Sequence, residues 1–158
     1  MLEVCLWKCT GWLHSVKMKI KIKKLNSEAT LPRYAHVGDA GMDFFSCEDV
    51  SIKSGERKLI GTGLSIELPE GYVSLIWDKS GLAAKNGLTV LGGVIEYTYR
   101  GEYGVILLNT SDEEYHLKKG DKIAQLLIQK IETAEIEEVE ELSDSVRGEG
   151  GFGSTGSS

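Results

Sequence analysis

Between Arg147 and Gly156 the chain reads RGEGGFGSTG, which places one guanidinium, one aromatic ring and two hydroxyls on a backbone made mostly of glycine. Glycine lets successive main-chain N–H groups turn toward a common centre, the geometry of a phosphate-binding nest. Arg147 can fork onto phosphate oxygens and Ser154 and Thr155 can donate to them, with Gly153 keeping the backbone open beside them. Phe152 offers a face on which a nucleobase can lie. The plain alternative is a Gly/Ser-rich terminus without fixed structure.

Four further stretches carry residues able to do related chemistry. Asp43 stands in an otherwise apolar strand pattern, where a carboxylate is costly to bury without a partner or a metal-bound water; a hydrogen-bonded turn carboxylate is the alternative. Lys79, Ser80 and Gly81 open the one helical candidate, and a cation, a hydroxyl and free N–H groups at a helix start suit an anion. Ser80 as a simple N-cap is compatible with that. GGVIEYTYRGEYGV reads as a hairpin whose backbone near Gly93, Val94 and Gly104 lines a narrow slot able to read the polar edge of a base. Tyr99 within it is equally a packed hairpin tyrosine. Gln125 projects from an apolar strand pattern, to donate either to a phosphate oxygen or across to a neighbouring strand.

These groups must be positioned by β structure. The 158 residues suit a single domain, and 41% apolar content allows a real core. Nineteen glycines against two prolines favour tight turns over long helices. MKIKIKK alternates from Met18, and RKLIGTGLSIELP, YVSLIW, LTVLGGVI, YGVILLN, EYHLKKG and KIAQLLIQKI repeat the short β-rich pattern. Pro69-Glu70-Gly71, Asn86-Gly87 and Lys119-Gly120-Asp121 mark turns between several of them. The expectation is an all-β barrel or sandwich with one short buried helix over SGLAAKNG, capped by Ser80 and ended by Asn86-Gly87. Acidic residues dominate from Ile131 to Glu141, expected as a solvated edge strand leading into an exposed arm. Residues 1–17 form an extension with no clear period, 18–142 the β domain, and 143–158 an arm too poor in apolar residues to hold itself by burial.

The formal charge of −6 argues against broad nucleic-acid binding but leaves room for a small anion held by local cations. No run approaches a membrane span or a signal peptide. Cys5, Cys9 and Cys47 lack metal-ligand spacing and read as free thiols of a reducing compartment, hence a cytoplasmic protein. His14, His36 and His116 are scattered, without the neighbours of a zinc site or a catalytic dyad.

Five segments, AGMDFFS, DKSGLAAKNG, GGVIEYTYRGEY, GDKIAQLLI and RGEGGFGSTG, resemble in order and spacing the trimeric dUTPase family from about Ala40 to Gly156. The resemblance implies a distorted jelly-roll or β-barrel of the β-clip type with an arm that closes over the site. It implies hydrolysis of dUTP to dUMP and pyrophosphate, which limits uracil in DNA and supplies dUMP for dTMP synthesis. Glu96 falls where the family carries an aspartate that deprotonates the water attacking the α-phosphorus. Gly93, Val94 and Gly104 would read uracil and exclude the thymine methyl, and Tyr99 would lie under deoxyribose. Lys79, where relatives commonly carry arginine, would hold the phosphates with Ser80, Gly81, Gln125, Arg147 and the arm residues Gly153, Ser154 and Thr155, while Phe152 covers the base. Asp43 would contact Mg²⁺ through water. The implied assembly is a homotrimer with shared sites.

Glutamate for aspartate moves the carboxylate one methylene out, and a shift of about 1 Å in attack geometry can slow a reaction on the order of a hundredfold. Two alternatives therefore stand beside the hydrolase: an attenuated nucleotide-binding regulatory module, and a deaminase acting on dCTP.

Overall fold

The computed structural model describes residues 18–148. Phe152, Gly153, Ser154 and Thr155, and with them the closing arm, lie outside the described residues, as does the extension 1–17.

Among the described residues eleven short strands and one helix follow one another. They are β1 Lys21–Lys24, β2 Met42–Phe45, β3 Val50–Ile52, β4 Arg57–Gly61, β5 Leu64–Glu67 and β6 Tyr72–Trp77, then α1 Ser80–Asn86. After the helix come β7 Leu88–Leu91, β8 Val94–Glu96, β9 Gly104–Asn109, β10 Tyr115–Leu117 and β11 Lys122–Lys130. Every strand pair is antiparallel. The main sheets are β2-β11-β6-β8 and β4-β9-β7, with β1-β5 and β3-β10 as two-stranded ribbons.

Apolar residues of all four sheets meet in one cluster. Phe44, Ile76 and Leu126 come from one main sheet, Ile60, Val105 and Leu107 from the other, and Leu64 and Ile52 from the ribbons. Burying each such side chain stabilises the fold by about 1.5–3 kcal/mol, which is why the alternating runs settle into strands with one face inward. Tyr103 is fully buried and meets Phe44 edge to face at 6.4 Å. Its hydroxyl shares a hydrogen bond of 3.1 Å with Ser74, and burial pushes its pKa above the usual tyrosine value although that bond pulls it down.

The mostly-β architecture agrees with the expectation, with corrections of detail. The described strands do not close into a barrel. The helix is not buried: no residue of α1 is fully enclosed, and Leu82 alone among them packs on the core. Lys79, not Ser80, is the N-cap, and it makes no side-chain cap bond. Gly87 does end the helix, in the left-handed conformation with its N–H donating to Ala83 O at 3.1 Å. The segment from Gly92 to Val105 is not a paired hairpin: β8 pairs with β6 and β9 pairs with β4 and β7, so the turn between them crosses from one main sheet to the other. After β11 the described chain forms no edge strand. Ile136 and Leu142 stand 94% and 88% exposed, so this stretch is an arm from Ile131 onward.

Candidate functional site

The crossing between the sheets opens a cleft of about 550 Å³, lined by Gly93, Val94 and Glu96 on one wall, Gly104 and Ile106 on the other, and Tyr99 at the turn. Gly93 makes the first wall possible. Its φ is +98° and its carbonyl accepts the Ile76 N–H at 2.7 Å. A Cβ at this position would sit 2.5 Å from the Ile76 carbonyl oxygen, so the backbone can run flush against β6 only as glycine.

The turn that carries Tyr99 is held from several sides. The Tyr99 N–H donates to Glu96 O at 3.0 Å and its hydroxyl donates to Glu102 O at 3.1 Å. The ring folds back against Gly101, where a Cβ would collide with the phenol, and lies 6.1 Å from the Tyr103 ring. Arg100 donates to the carbonyls of Tyr97 at 2.5 Å and Tyr99 at 2.9 Å, so it ties the turn together rather than facing the cleft. Glu96 ends β8 opposite Val73, with its side chain exposed on the cleft.

A second cleft of about 540 Å³ is lined by Gly41, Asp43, Trp77, Lys79, Lys122 and Gln125, among others, and shares no lining residue with the first. Asp43 is 4% exposed. Its Oδ1 lies 2.6 Å from the Lys79 ammonium and its Oδ2 2.7 Å from that of Lys122. Burial raises the Asp43 pKa, but the hydrogen bonds and charges of Lys122 and Lys79 outweigh it and hold the carboxyl below its usual value. Gln125 stands directly across from Asp43 and Trp77, and its amide donates to Asp78 O at 2.8 Å, the cross-strand alternative raised from the sequence.

Ser80 and Gly81 are exposed on the first turn of α1 and line neither cleft. Arg147 is exposed, inside a turn closed by the Gly148 N–H donating to Ser145 O at 3.1 Å.

Asp43 does not fit a directly bound cation, because two ammonium groups already occupy its surroundings. Among the described residues no cluster of His, Cys, Asp or Glu is arranged to hold a metal. What remains is an indirect contact through water: Oδ2 is buried with the Lys122 ammonium 2.7 Å away, so it can meet a metal-bound water only once that ammonium yields its place.

Lys122 is the residue that sequence reasoning missed. Lysine at the start of a strand reads as a solvated position, and in a regular strand residues three apart point to opposite faces. The β2–β11 register slips between Lys122 and Ala124, a bulge that leaves Ile123 and Ala124 both buried in succession. The extra residue brings Lys122 and Gln125 into the same cleft.

No helix among the described residues is long and apolar enough to cross a membrane. A family model described as dUTPase matches residues 27–156. The chain is 57% identical over 141 residues to the deoxyuridine 5'-triphosphate nucleotidohydrolase of Nautilia profundicola, covering 88% of this chain and 99% of that one. The Staphylococcus bacteriophage 80alpha dUTPase with dUPNHPP superposes with a TM-score of 0.83 at 34% identity, covering 88% of this chain and 99% of its own. A point mutant of the dUTPase from the S. aureus phage phi11, described for its coordination of a structural Mg(II) ion, gives a TM-score of 0.75 at 30% identity over 80% of this chain and 99% of that one. These likenesses favour neither the deaminase nor the regulatory module. Matched along most of its length by sequence and by fold, the chain belongs to the dUTPase family.

Proposed function

We propose that this dUTP diphosphatase uses Glu96 as its general base and completes each active site between copies of the chain. The observation that carries the reading is the exposed Glu96 side chain at the mouth of a cleft walled by glycine-rich backbone. A base can enter such a cleft edge-on, where main-chain groups near Gly93, Val94 and Gly104 pair with uracil and leave no space for a 5-methyl group. Tyr99, fixed by its turn, lies under the deoxyribose and disfavours a ribose 2′-hydroxyl. Glu96 then accepts the proton of the water that attacks the α-phosphorus, and pyrophosphate leaves.

Lys79, Ser80, Gly81, Gln125 and Arg147 hold the phosphates in line, and the arm residues Phe152, Gly153, Ser154 and Thr155 close over base and phosphates. Mg²⁺, when bound, would offset negative charge on the triphosphate, and Asp43 is the residue that would hold it through water. The homotrimer is supported by the separation of the two clefts within one chain: Gly93, Glu96 and Tyr99 line one, Lys79 and Gln125 the other. One copy supplies the first, a second copy the other, and a third the arm. We place the enzyme in the cytoplasm.

The test is pyrophosphate release from dUTP, dTTP, UTP and dCTP, with ammonia measured for dCTP. Preference for dUTP over all three is expected. Glu96→Gln should lower kcat by about 10²–10⁴-fold, while Glu96→Asp raises kcat and leaves dUTP affinity nearly unchanged. Wild-type kcat in Glu96→Gln would overturn the assignment of the base.

A further inference from the structure

We propose that Lys79, Asp43 and Lys122 form a latch in which a buried carboxylate holds the place of a phosphate group, and that Lys122 is itself a phosphate ligand. The inference rests on reading the second cleft as the triphosphate side of the site. Both ammonium groups sit within 2.7 Å of Asp43, yet their side chains keep 30% and 43% exposure, so they stand between the buried carboxylate and the open cleft. Two cations against one anion leave one positive charge in excess.

Two further carboxylates, Asp78 and Asp39, line the cleft and keep their charge, so this excess is local to the two ammonium groups. Asp78 is committed to the Thr89 hydroxyl at 2.9 Å and the Val90 N–H at 2.5 Å, and Asp39 accepts the His36 N–H at 2.8 Å. His36 itself lines the same rim.

Lysine suits such an exchange of partners. An ammonium is a point charge on a flexible stem with three donors, so it can turn from one oxygen ligand to another without losing a bidentate fork. Each of these ammonium groups spends one short contact on Asp43 and retains donors for the cleft. Carboxylate and phosphate oxygens are ligands of the same class, and a polyphosphate carries more charge, so it displaces Asp43 from both lysines. Asp43 thereby keeps the two cations neutralised in the free protein while competing with the incoming anion. The bulge at Ile123 is the feature of the fold that brings Lys122 into this arrangement.

The experiment is calorimetric titration of the full chain with inorganic triphosphate in EDTA. Lys122→Met should weaken binding about tenfold, Lys122→Arg should restore most of it, and Asp43→Asn, which removes the internal competitor, should tighten it several-fold. Acylation of wild-type lysines with and without triphosphate gives a reading independent of how Asp43→Asn folds, with Lys122 expected to be protected. Unchanged binding in Lys122→Met, weaker binding in a folded Asp43→Asn, or unaltered reactivity of Lys122 would each overturn the latch. Hydrolysis of dUTP by the same wild-type protein separates the two claims. Turnover with Lys122 indifferent to triphosphate sinks the latch alone, and latch behaviour without turnover sinks the functional reading alone.

Discussion

Replacing Gly93 with alanine should damage stability and substrate binding together, and Gly92 provides the control. At Gly93 φ is +98°, a conformation that costs an L-residue about 1–2 kcal/mol. The added Cβ would lie 2.5 Å from the Ile76 carbonyl oxygen. Relieving that contact requires about 1 Å of movement between β8 and β6, and overpacking of this kind costs about 1–3 kcal/mol. The total is about 3 kcal/mol. With a urea dependence of about 2 kcal/mol per molar, the midpoint should fall by about 1.5 M. Gly92 has φ +72° but nothing within 4 Å of an added Cβ. Its alanine variant should lose only the conformational part, about 0.5–1 M in midpoint. Urea melts at one protein concentration, paired with KM for dUTP, make the comparison. A Gly93→Ala midpoint no lower than that of Gly92→Ala would refute the claim that close approach to β6 shapes the cleft wall.

Gly101→Ala should leave stability nearly unchanged but push the Tyr99 ring off its seat, because the collision is with the end of a movable side chain; the kcat/KM ratio of dUTP over UTP should fall, and an unchanged ratio would remove Tyr99 from sugar discrimination. Because Lys122 and Lys79 hold the folded-state pKa of Asp43 below its usual 3.8 despite burial, its ionisation stabilises the fold fully above about pH 5 and this contribution is lost as pH falls through the lowered value. Asp43→Asn should therefore show a flatter loss of stability in acid than the wild type in thermal melts, and parallel acid profiles would contradict the pairing. Mixing inactive Glu96→Gln and Lys79→Met chains under exchange should regain dUTP hydrolysis if sites are shared between copies; no regain in verified mixed assemblies would place both residues in one chain's site.

Local chemistry was legible from the chain itself. Alternating apolar residues gave strands wherever one face could be buried, and Asn86-Gly87 marked the helix end because only glycine takes the left-handed turn without strain. The five motif segments likewise pointed to the family, since each depends on residue types within a few positions of one another. Tertiary structure decided what depends on distant partners. Asp43 is neutralised by Lys79, 36 residues away, and by Lys122, which only a bulge in β11 brings to the same face. The segment from Gly92 to Val105 looks like a hairpin, yet its two strands join different sheets, β8 beside β6 and β9 between β4 and β7. Local sequence sets what a strand can bury; which strand it meets is fixed only when the whole core closes around it.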